Sequence, residues 1–147
     1  MSPARTVDST VALLEAVELT RITHYEVSGR RHASDATVEE GVRPPQVMVR
    51  KSELEIETRM RMVVETDVAV FTADISATYT LAEPAHVPDE VVTDFLERVG
   101  LMAVYPYARE AIHTSASRLA VDAPVLGLLR TGSVRIVPNG NSAPVEE

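Results

Sequence analysis

The side chains best able to do chemistry here are few and scattered. His24, His32, His86 and His113 fall at no metal-ligand spacing, and His113 lies on the polar side of a helical pattern. Asp74 is the single acid on the polar side of an alternating run, among Thr72, Ser76 and Thr78. An acid and a histidine can transfer protons, but no HExxH pair, GxSxG elbow, phosphate-cradling glycine loop or Cys/His cluster accompanies them. Enzymatic chemistry thus has nothing specific to stand on, and no cofactor or metal is called for. Asp74 reads as a solvated or docking group, and His113 as a surface residue. Met48, Met60, Met62 and Met102 read as core filler, with an adaptable binding surface as the alternative.

The totals narrow the remaining classes. A chain of 147 residues with 45% apolar and 24% charged residues is the size and composition of one soluble globular domain. No apolar stretch approaches a membrane span, and "MSPARTVDST" lacks the apolar run of a secretory signal. The chain contains no cysteine, so no disulfide framework exists, and a cytoplasmic location is expected. Fourteen basic against twenty-two acidic residues give a net charge of −8, which argues against nucleic acid as a partner and suits solubility, a cationic polypeptide or a basic protein surface.

Periodicity supplies the elements. Val7, Val11, Leu14 and Val17 recur at helical spacing over 7–17, with Asp8 or Ser9 as cap. "LTRITHYEVS" then alternates as a strand ending at Gly29, with Leu19, Thr23, Tyr25 and Val27 on one side and Thr20, Ile22, His24 and Glu26 on the other. The stretch "GRRHASDATVEEGVRPPQ" has little periodicity and carries two prolines and two glycines, so residues 30–46 read as a long connecting loop. "QVMVRKS" predicts a short strand, and "ELEIETRMRMVVE" a half-buried one with Leu54, Ile56, Thr58, Met60, Met62 and Val64 inward. A further strand follows Asp67, with Ala69, Phe71, Ala73, Ile75, Ala77, Tyr79 and Leu81 on its apolar side. The alanines invite a helix to lie close. "PDEVVTDFLERVG" predicts a short helix capped by Asp89 and stopped by Gly100, and Pro106 is placed as the first residue of a second, longer helix that ends near 122–124. An apolar strap, "APVLGLL", follows, and 138–147 reads as a disordered tail after a single domain over 1–137.

At "AVYPYAREAIHTSASRLAVDAPVLGLL" the sequence resembles the SecB family of export chaperones and their SecB-like relatives. Pro106, Tyr107, Ala108, Arg109 and Glu110 match the run that opens the family's long helix, Arg118 its later arginine, and Pro124, Val125 and Leu126 its strap. The order of elements extends the likeness over about residues 17–129. The resemblance implies an α+β subunit with a four-stranded antiparallel sheet, a short and a long helix on one face and a homotetramer built as a dimer of dimers. It implies an ATP-independent holdase that binds unfolded polypeptides in apolar grooves, whose lining residues would be Phe71, Ile75, Tyr79, Phe95, Leu101, Tyr105 and Tyr107. By the same likeness Asp74 and Glu26 would dock the export motor SecA through an acidic outer face. The predicted N-terminal helix, and the lack of a C-terminal helix after Leu129, are more like the solitary SecB-like chaperones of toxin and antitoxin pairs, which bind an antitoxin. Preproteins and antitoxins are thus the two client classes expected. A non-catalytic oligomeric adaptor is the alternative of another class.

Overall fold

The computed structural model describes residues 5–35 and 37–127. Four long antiparallel strands form its main sheet, in the order β2 (Val17–Arg31), β6 (Ala69–Leu81), β5 (Glu55–Glu65) and β4 (Gln46–Lys51). A two-residue strand, β3 (Gly41–Val42), pairs with the far end of β5 on the edge that β4 occupies, so the pair act as one strand interrupted by Arg43, Pro44 and Pro45. Proline lacks the N–H a ladder requires, which accounts for the break. A second small sheet pairs β1 (Arg5–Thr6) in parallel with β7 (Ala85–His86), and Val7 is buried beside it.

Helix α1 (Thr10–Ala16) starts at Ser9, whose hydroxyl accepts from the backbone N–H of Ala12 at 3.1 Å. It is anchored by fully buried Leu13 and by Thr10, whose hydroxyl donates to Asp94. The expected break between the two later helices is absent. Helix α2 (Asp89–Phe95) runs through one π turn (Leu96–Gly100) directly into α3 (Leu101–Arg118), so Gly100 is helical and Pro106 lies inside the helix. Gly100 serves close approach here: a Cβ would sit 2.7 Å from Leu96 Cδ2 and 2.8 Å from Thr58 Oγ1. The cap of α2 also differs. Asp89 is the first helical residue rather than the cap, and its carboxylate meets Lys51 Nζ at 2.5 Å. That contact holds the Asp89 carboxyl below the usual range. The long helix ends at Arg118, earlier than expected, where Ala120 takes a left-handed conformation and the N–H of Val121 closes on the Ala116 carbonyl.

Alternation on β5 and β6 is as predicted, except that Leu54 precedes β5 and is exposed rather than turned inward. Ile56, Thr58, Met60, Met62 and Val64 pair across to Tyr79, Ala77, Ile75, Ala73 and Phe71, and all ten are buried. Helix α3 sets Val104, Ala108, Ala111, Ile112 and Ala116 on that face, where small residues from both sides let helix and sheet close tightly. Strand β2 departs from simple alternation. Register shifts at Thr20 and at Tyr25 reverse its parity twice, so Leu19, Ile22, His24 and Val27 share the helix-facing side while Thr23, Tyr25 and Glu26 share the outer one. Among the described residues no helix is long and apolar enough to cross a membrane. The tail over 138–147 lies outside the described residues.

Candidate functional site

The expected groove residues divide into two groups. Phe71, Ile75 and Phe95 are fully buried, and Leu101 and Tyr79 are 2% and 4% exposed, so none of these five lines an open furrow of the subunit. The physical reason is the alanine ladder, which brings α3 down onto the sheet and leaves the large side chains between them to form the core. Phe95 meets Tyr79 edge-on, with ring centroids 5.1 Å apart, and the Tyr79 hydroxyl reaches the Gly100 carbonyl at 3.4 Å. Burial pushes the Tyr79 phenol up to about 12. Tyr105 and Tyr107, by contrast, are half-buried and exposed on α3. Tyr105 donates to the Gly127 carbonyl, tying the strap to the helix, and the Arg109 guanidinium stands 5.8 Å from its ring. Of the motif residues, Ala108 faces the sheet while Pro106, Tyr107, Arg109 and Glu110 face outward, and a cleft of about 510 Å³ separates Pro106, Arg109, Glu110 and His113 from the strap at 123–126.

Uncovered apolar surface occurs elsewhere, on α1 and on the sheet edge that follows it. Val11 and Leu14 are 67% and 52% exposed on α1, and Leu19 and Val27 are 45% and 44% exposed on the helix-facing side of β2. Half-buried Val17 and Ile22 connect them in sequence. Strand β2 is fifteen residues long and hydrogen-bonds to β6 along one side, so its other side presents unpaired backbone groups among the described residues. Apolar side chains beside an unpaired strand edge can hold an extended polypeptide through main-chain hydrogen bonds, with little regard for its sequence. Simple alternation groups Leu19 with Val27 but sets Ile22 on the opposite side, because the two bulges decide which β2 residues between them share that face.

The outer face of the sheet is not an acidic patch. Asp74 is 3% exposed, and the Arg59 guanidinium grips it through two bonds of 2.8 Å. Arg61 stands 3.6 Å from Asp74 and bonds to Glu26, the residue paired with Asp74 in the sheet register. Arg59 also stacks at 3.8 Å on the Tyr25 ring, and Tyr25 and Ser76 both donate to Glu57, at 2.7 and 2.9 Å. The Glu57 carboxylate raises the Tyr25 phenol above its ordinary range. Both acids expected to dock a motor are therefore neutralised by neighbours on their own face, and Asp74 is closed off from a partner.

No family model matches the chain. It is 37% identical over 140 residues to the SecB-like chaperone SmegB of Mycolicibacterium smegmatis, an alignment covering 95% of this chain and 94% of the relative. The chain belongs to the SecB-like chaperones. The SecB-like fold is seen again in the Rv1957 SecB-like chaperone of Mycobacterium tuberculosis, solved in complex with a ChAD peptide from the Rv1956 HigA1 antitoxin. The two structures agree with a TM-score of 0.63 at 19% identity, over 82% of this chain and 96% of that one. In this chain the helix that the sequence pattern predicts before the first long strand is α1.

Proposed function

We propose that this SecB-like chain is an ATP-independent holdase of the cytoplasm, acting as a homotetramer, whose principal client is an aggregation-prone antitoxin. The observation that carries the reading is the uncovered apolar line from Val11 to Val27 beside the unpaired edge of β2. Covering four such side chains, each already one-third to about half buried, gains on the order of 1 kcal/mol apiece, and repetition over several subunits multiplies the effect through local concentration. An antitoxin is favoured over an exported preprotein for two reasons: the structural relative holds an antitoxin peptide, and the outer acids that would greet the export motor are engaged by Arg59 and Arg61. Holding an unfolded segment requires no reacting group, in keeping with the scattered histidines.

Light scattering of an antitoxin diluted from denaturant tests the reading. The protein in slight molar excess should suppress aggregation severalfold, and the variant carrying Leu19→Asp and Val27→Asp should lose most of that effect while keeping its circular dichroism. An unchanged scattering curve with the natural chain would leave only the adaptor role.

A further inference from the structure

A row of four residues crosses the outer face directly in register: Arg21 on β2, Thr78 on β6, Glu57 on β5 and Arg50 on β4. All four line a cleft of about 520 Å³, with Thr23, Tyr25, Ser52 and Glu55 among its walls. Two features of this row are unresolved by the fold itself. The Thr78 hydroxyl at its floor is 1% exposed and has no hydrogen-bond partner. A buried hydroxyl without a partner costs about 1–3 kcal/mol and calls for an explanation. The end residues are the second feature. Arg21 and Arg50 are exposed, and among the described residues neither side chain makes an ion pair or hydrogen bond. Arg50 lies opposite Glu57, yet one Glu57 oxygen is occupied by Tyr25 and Ser76, and no bond joins Arg50 to the other.

From this we infer that the cleft is a docking site for an extended acidic segment of a partner protein, bearing carboxylates four residues apart and a hydroxyl or amide midway between them. The spacing follows from sheet geometry. Three inter-strand steps of about 4.8 Å separate Arg21 from Arg50, roughly 14 Å. Residues i and i+4 of an extended chain point to one side and lie about 13–14 Å apart. A segment laid across the strands therefore brings one carboxylate to each guanidinium, in bidentate pairs. Its middle residue, i+2, comes over Thr78 and Glu57, where a hydroxyl or amide satisfies the orphaned Thr78 oxygen and donates to the remaining Glu57 oxygen. The net charge of −8 repels acidic chains at long range, so a single carboxylate gains little and only the matched pair binds. The site faces away from the apolar edge of β2 and is independent of client holding.

Fluorescence anisotropy with the labelled peptide GGEASAEGG, titrated with the full chain at low salt, tests the site. Saturable binding is expected, weakened about tenfold or more by Arg21→Gln or Arg50→Gln, severalfold by Thr78→Val, and abolished in the peptide GGQASAQGG. The two arginines are exposed, so their variants should fold, and matching thermal melts confirm it. Suppression of antitoxin aggregation should be unaffected in the Arg21→Gln, Arg50→Gln double variant. Equal binding of both peptides, undiminished binding by that double variant, absence of saturation, or preferential binding of a labelled oligoribonucleotide would each overturn the assignment.

Discussion

The two faces of one strand, β6, are buried almost equally and by opposite means. On the helix side Ala69, Phe71, Ala73, Ile75 and Ala77 are inaccessible because α3 lies on them. On the outer side no element covers the sheet among the described residues, yet Asp74, Ser76 and Thr78 are no more than 3% exposed. Asp74 and Ser76 take their cover from the neighbouring strands: Arg59 and Arg61 pair with Asp74, and Tyr25 stacks on Arg59, which lies opposite Ser76 in the register. Long side chains can bury a surface with their stems while their charges stay in contact with water. Polar residue types on a strand therefore do not imply a free face, nor does an acid there imply an accessible one.

Breaking the helix side should have the largest effect. Phe95→Ala removes a fully buried ring that packs edge-on against Tyr79, and the expected loss is about 3–5 kcal/mol. Denaturant unfolding should show the midpoint falling with little change in slope, since the surface exposed on unfolding is hardly altered. A loss under about 1 kcal/mol would mean that the ring sits in an adaptable groove after all, and would restore it to the client-binding surface.

On the outer face the corresponding change is Asp74→Ala, which strands the Arg59 guanidinium. Removing one partner of a fully buried pair costs about 3–5 kcal/mol; Arg59 keeps part of its side chain in water, so roughly 2–3 kcal/mol is expected here. Replacing both residues by apolar ones, Asp74→Leu with Arg59→Met, should recover most of that loss, because no unpaired charge remains. If Asp74→Ala instead leaves stability untouched, the acid is free to serve a partner, and the comparison between the faces fails.

Much of this was legible in the residues, and the failures share a cause. The strict alternation of "ELEIETRMRMVVE" fixes β5 because one residue type pattern satisfies one face, and the alanines on β6 correctly call for a close helix. What one strand's pattern cannot contain is its neighbour's register. The two bulges in β2 depend on pairing with β6, so alternation alone puts Ile22, Thr23, His24 and Tyr25 on the wrong faces and breaks the apolar line. Gly100 and Pro106 likewise read as helix punctuation. Packing overrode both, since Gly100 is required by contact with Leu96 and Thr58 rather than by a turn. Phe71, Ile75, Tyr79, Phe95 and Leu101 suit a groove by residue type, and the core claims such residues first.

The smallest effect at neutral pH, and the finest test of the contrast, lies in two tyrosines, one on each face. The Tyr79 phenol is pushed up to about 12 by burial alone, whereas that of exposed Tyr25 is raised first by its hydrogen bond to Glu57. A phenol whose folded pKa exceeds its unfolded value of about 10 adds stability that is complete below pH 10 and declines as pH rises toward the folded value. For Tyr79 the window is therefore about pH 10 to 12, and a shift of that size corresponds to roughly 2–3 kcal/mol lost across it. Tyr79→Phe should change neutral stability by less than about 1 kcal/mol, since only a long bond to the Gly100 carbonyl is lost, and should flatten the alkaline decline. Glu57→Gln should lower the Tyr25 titration and leave that of Tyr79 in place; added salt should act on Tyr25 and spare Tyr79, because only the half-buried Glu57 carboxylate is within reach of screening ions. Absorbance titration of tyrosinate in the three proteins separates the two phenols. Parallel shifts of both on removing Glu57 would show that charge reaches through the sheet and that the two faces are electrostatically one.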